Sequence, residues 1–104
     1  MGFLGRLFGM ESSVVDFKGL IEGGAMIVDV RTREEYADGG LKNSVNIPLD
    51  RLGSSLERLP KDRAIILYCA SGMRSSAACS LLKRKGYSDV YNGKSASYLR
   101  SMIR

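Results

Sequence analysis

The run Ala64-Ile65-Ile66-Leu67-Tyr68 is apolar and rich in strand-forming residues. It lacks the alternation of polar and apolar side chains that lets a strand show one face to water. Met26-Ile27-Val28-Asp29-Val30 has the same character, so both runs predict strands covered on both sides. Val45-Asn46-Ile47-Pro48 reads as another short strand, because Pro48 pushes Ile47 towards extended backbone, and Val90-Tyr91 as a brief one. Buried strands of this length need layers of helix to cover them, which restricts the chain to few architectures.

The segments between the strands carry helical signals. Ser12 or Ser13 can cap a helix running to about Glu22, with Gly23-Gly24 as its stop. Thr32 can cap the next turn, where Glu34 and Glu35 suit the positive end of its dipole. Leu49, Leu52, Leu56 and Leu59 recur at helical spacing, although Gly53 weakens that helix and Pro60 closes it. Ala77, Ala78, Leu81 and Leu82 form an apolar helical face that ends at Gly86, and Ala96 to Ile103 predicts a closing helix. Alternating strands and helices predict an α/β domain: a mainly parallel central sheet of about five short strands with helices on both faces.

With 104 residues, the chain can bury one modest core. We divide it into a short apolar segment, residues 1–11, and a single domain, residues 12–104. The first ten residues lack a long hydrophobic stretch and a small-residue cleavage site, so no signal peptide is expected and a membrane role is not favoured. The formal charge of +5 comes from basic residues spread along the chain, with Lys83-Arg84-Lys85 the one cluster, so no nucleic-acid partner is expected. Small anionic substrates fit the excess better.

Two cysteines do not make a disulfide framework, which points to a reducing, cytoplasmic setting. The absence of histidine removes the commonest metal ligand and the commonest general base. No metal and no cofactor is expected.

Cys69 ends the strand Ala64–Tyr68 and is followed by Ala70-Ser71-Gly72-Met73-Arg74 and then a helical stretch. In such an arrangement loop amides and the following helix converge on one anion, which stabilises a thiolate, the nucleophilic form of sulfur. Arg74 adds positive charge. Cys79 lies among alanines and leucines and reads as core packing. Asp29 and Arg31 read as an ion pair at a strand end, Tyr36 and Tyr87 as packed rings with satisfied hydroxyls, and Arg33 as a solvated charge. Ser71 can reach a bound anion, while Ser75 and Ser76 can support the helix start.

The segment Cys69-Ala70-Ser71-Gly72-Met73-Arg74-Ser75 resembles the active loop of single-domain rhodaneses, a family of sulfurtransferases. Asp29-Val30-Arg31 with Glu34-Glu35-Tyr36, Asn46-Ile47-Pro48, Gly86-Tyr87 and Val90-Tyr91-Asn92 resemble its other signatures. Four residues separate Cys69 from Arg74, whereas cysteine-dependent phosphatases have five. The resemblance implies a rhodanese-like fold and transfer of a sulfane sulfur from thiosulfate or a persulfide donor through a persulfide on Cys69. It implies Arg74, Ala70, Ser71, Gly72 and Met73 as substrate-binding residues, and a thiol or cyanide as acceptor. Three other functions are kept beside it: a non-catalytic sulfur carrier that serves a sulfur-relay protein partner, a cysteine-dependent phosphatase, and a redox-sensing thiol.

Overall fold

The computed structural model describes residues 14–104. The apolar segment 1–11 and the expected caps Ser12 and Ser13 lie outside the described residues. Elements follow in the order α1 (Phe17–Glu22), β1 (Met26–Asp29), α2 (Arg33–Ala37), β2 (Ser44–Asn46), α3 (Leu49–Leu52), a 3-10 turn (Leu56–Arg58), β3 (Ile65–Cys69), α4 (Met73–Arg84), β4 (Val90–Ser95) and α5 (Ala96–Ile103). The described sheet has four strands rather than about five, in the order β2-β1-β3-β4, and every pairing is parallel.

Side chains alternate across β1 and β3 and divide the core in two. Val28, Ile65, Leu67 and Cys69 pack with Leu52, Leu59, Ala78 and Leu82 under α3 and α4. Ile27, Ile66 and Tyr68 pack with Phe17 and Leu99 under α1 and α5. Ile65 to Cys69 is buried throughout, as expected for a central strand covered on both sides.

Several boundaries differ from the expectation, each for a local reason. Asp16, not a serine, caps α1 and accepts from the Gly19 amide at 3.0 Å. The leucine-spaced helix after Pro48 breaks into one α-turn and a 3-10 turn, because Gly53 interrupts it. β2 begins at Ser44 and stops at Asn46. β4 extends to Ser95 by way of a bulge: Leu67 faces Asn92 and Tyr68 faces Lys94, so Gly93 is passed over. Thr32 caps α2 in a full capping box with Glu35, and α5 spans Ala96–Ile103 as predicted.

Candidate active site

β1, β2 and β3 end on one edge of the parallel sheet, the edge where ligands bind in such folds. Cys69 is the last residue of β3 and has no solvent-exposed surface. Gly72 then adopts φ +99°, which L side chains rarely adopt. That turn aims the Gly72 amide back at the sulfur, and Sγ accepts from it at 3.0 Å and from the Ser75 amide at 3.4 Å. The Ser75 hydroxyl lies 3.5 Å from Sγ. Burial pushes the Cys69 thiol up, but the Ser75 hydroxyl and the amides of Ser75, Gly72 and Ser71 outweigh it and hold the thiol below its ordinary range. The strand end, the tight loop and the start of α4 thus form a cradle for a sulfur anion.

Arg74 is placed differently from a free anion-binding cation. Its guanidinium donates to both carboxylate oxygens of Glu35, at 2.7 and 3.0 Å. Glu35 is held well below the usual carboxylate range, at about 2, by the hydrogen bond from Arg74 and then by the Thr32 amide. The loop is therefore clamped to α2, the turn that follows β1. Of the other loop residues, Ala70, Ser71 and Met73 are exposed. Ser71, Gly72, Met73, Ser76, Asn92 and Lys94 line a cavity of about 420 Å³ at the mouth of the loop.

Two residues have larger parts than their sequence signals suggested. Ser75 is fully buried and meets the sulfur through both its amide and its hydroxyl. Asn92 accepts the Ser75 hydroxyl at 2.6 Å and donates to the Gly72 carbonyl at 3.3 Å. Glu35 carried a capping signal, but nothing local pointed to Arg74.

The supporting residues behave as expected. Asp29 is fully buried and accepts from the Arg31 guanidinium at 2.7 Å and from its amide at 2.8 Å. Asn46 donates to the carbonyls of Asp29 and Arg31, each at 3.0 Å, and ties β2 to the end of β1. The Tyr36 and Tyr87 hydroxyls donate to the Ser44 and Leu59 carbonyls, both at 2.6 Å. Cys79 is buried in the core under α4, and burial pushes its thiol up to about 11. Both cysteines are free. Among the described residues, no helix is long and apolar enough to cross a membrane.

A four-stranded parallel sheet with helices on both faces and a strand-end thiol in an amide cradle defines an α/β domain of the rhodanese-like class. The chain belongs to the rhodanese-like domain family, whose model matches residues 13–95. It is 37% identical over 67 residues to a sulfurtransferase of Allochromatium vinosum, covering 64% of this chain and 63% of that protein. It is 32% identical over 78 residues to a tRNA sulfurtransferase of Thermoplasma acidophilum, covering 75% of this chain and 16% of that protein. The chain thus spans under two thirds of the length of these relatives. The structure of a human single-domain sulfurtransferase superposes with a TM-score of 0.68 at 28% identity, covering 78% of this chain and 86% of that one.

Proposed function

We propose that this protein is a rhodanese-type sulfurtransferase that moves a sulfane sulfur from thiosulfate or a persulfide donor to a thiol or cyanide acceptor. The observation that carries the reading is the Cys69 sulfur with two amide donors aimed at it, a cradle that stabilises the ionised sulfur. The Cys69 thiolate attacks the outer sulfur of the donor. A bond forms between Sγ and that sulfur, the donor's S–S bond breaks, and sulfite or its equivalent leaves with the bonding pair. An acceptor thiolate or cyanide then attacks the outer sulfur, and Cys69 returns as the thiolate. The cycle requires neither a metal nor a histidine.

The sulfur has no exposed surface, so a donor has to part the loop to reach it. Met73 and Lys94 stand at the mouth, and Lys94 offers charge to a small anionic donor. The chemistry requires a reduced thiol, which suits a reducing compartment such as the cytoplasm.

A second reading is a carrier domain that loads from a protein donor and delivers to one relay partner. It is favoured by the occupation of Arg74 by Glu35, which leaves less free positive charge for a small dianion. Intact mass after incubation with thiosulfate, then cyanide, separates the two. A gain of one sulfur that cyanide removes as thiocyanate, with steady turnover, supports the enzyme. Loading from a desulfurase without turnover on small donors supports the carrier. No loading from either refutes both.

A further inference from the structure

Ser75 has one hydroxyl proton and two neighbours that can take it. Asn92 Oδ1 is 2.6 Å from Ser75 Oγ, and the Cys69 sulfur is 3.5 Å from it. The orientation of the Asn92 carboxamide decides between them. Its Oδ1 accepts the Lys94 amide at 2.9 Å, and its Nδ2 donates to the Gly72 carbonyl at 3.3 Å. Turning the group over would set a donor against a donor at Lys94 and an acceptor against an acceptor at Gly72, so Oδ1 faces Ser75. An oxygen fixed in this way has only an acceptor to offer. The short Ser75–Asn92 bond is therefore one in which the hydroxyl donates to Asn92, and while it stands that proton is withheld from the sulfur.

We propose that Asn92 is a positioning residue for the Cys69 sulfur: it draws off the Ser75 hydroxyl proton in the resting thiol and gives it up to the sulfur when Cys69 ionises. In the thiol, the S–H donates to Ser75 Oγ, and Ser75 O–H donates to Asn92 Oδ1. On ionisation the thiol proton leaves to solvent or base, the Ser75 hydroxyl rotates to the sulfur, and Asn92 Oδ1 keeps the Lys94 amide. The pair keeps the resting thiol less ionised than a Ser75 hydroxyl free to donate to the sulfur would make it. It supplies a third donor only once charge is present. Asn92 also steadies the turn that presents the Gly72 amide.

The charged groups around the sulfur come from four other elements. They are Arg74 on α4, held by Glu35 on α2, the Asp29–Arg31 pair at the end of β1, and Lys94 at the end of β4. Exchanging Asn92 for an apolar residue changes none of these charges. The proposal rests on Cys69 as the reacting atom, but it is tested on the thiol itself with no sulfur donor present. A domain that failed to load sulfur would still give an answer.

The test is the pH dependence of Cys69 alkylation by iodoacetamide in the wild type, Asn92→Ala, Ser75→Ala and the double variant. Asn92→Ala should move the midpoint down by about half to one pH unit, a threefold to tenfold gain in thiolate below the midpoint. In the Ser75→Ala background the same change should give no downward shift, because the only remaining effect of Asn92 is to hold the Gly72 amide on the sulfur. No downward shift with Ser75 present, or an equal shift in both backgrounds, would overturn the proposal, because a general loosening of the loop does not depend on the Ser75 hydroxyl. The wild type supplies a check that needs no Asn92 variant. The carbonyl carbon resonance of the Asn92 side chain should titrate with the Cys69 midpoint and stand still in Ser75→Ala, and a flat wild-type profile would refute the switch.

Discussion

Replacing Gly72 by alanine probes the link between one backbone turn and the reactivity of the sulfur. Gly72 has φ +99° and ψ −9°, beyond the left-handed well that other residues tolerate. A β-carbon there would lie 3.4 Å from the Lys94 α-carbon, an ordinary contact, so the cost comes from the backbone and not from a collision. Holding an L-residue in that conformation costs about 1–2 kcal/mol. For a domain of this size that lowers the melting temperature by about 5–15 °C. The chain can relieve the strain by opening the turn, which withdraws the Gly72 amide from its 3.0 Å bond to Sγ. A hydrogen bond to a charged acceptor contributes about 1.5 kcal/mol or more, so the alkylation midpoint of Cys69 should rise by about one pH unit.

Gly24 provides the control. It has φ +101° at the end of α1, and a β-carbon added there would meet nothing within 4 Å. Gly24→Ala should lose comparable stability and leave the thiol titration where it was. Thermal melts followed by circular dichroism and alkylation rates across pH give the two readouts. A Gly72→Ala protein that keeps both its melting temperature and its midpoint, or a Gly24→Ala protein whose thiol moves as far, would refute the link between this turn and the sulfur.

Iodoacetamide at about pH 8 should label the native protein once, on Cys69, because a thiol held near 11 has roughly one part in a thousand as thiolate there. Peptide mapping that finds Cys79 labelled at a similar rate would contradict its place in the core. The folded Glu35 carboxyl is depressed to about 2 from 4.5, so its contribution to stability is present above pH 4.5 and lost as pH falls from there towards 2. The two side chains of this pair are 37% and 35% exposed, which reduces a nominal 3 kcal/mol to about 1 kcal/mol by screening. Glu35→Gln keeps the cap to Thr32, and urea titrations should show it about 1 kcal/mol less stable than wild type at neutral pH and equal to it near pH 2; a constant gap down to that pH would contradict the assignment. Asp29→Ala leaves the Arg31 guanidinium, 11% exposed, without its partner, and should cost about 3 kcal/mol in urea unfolding. A loss below about 1 kcal/mol would mean that the pair does not hold the strand end.

The parts of the site legible in the sequence are those whose causes lie within a few residues. The apolar run into Cys69, the glycine three residues on and the helical stretch after it lie within one strand–loop–helix unit, and local backbone preferences decide its course. The Thr32 cap of α2, with Glu35 three residues further on, was readable for the same reason. Strand endings were less legible, since the bulge at Gly93 depends on what packs against it, Ile66 and Leu99.

What the chain alone determined was the alternation of buried strands and helices, the thiol at a strand end and the tight loop after it. Only the tertiary structure decided which distant groups meet that loop. The sheet order β2-β1-β3-β4 sets β1 and β4 on either side of β3, and so brings up Glu35 from 39 residues before Arg74 and Asn92 from 17 residues after Ser75. Hydrogen bonds between such residues exist only once parallel strands have paired across long crossovers, and no short-range preference encodes them. The same assembly paired Arg74 with Glu35 on α2, and gave the Ser75 hydroxyl a second acceptor.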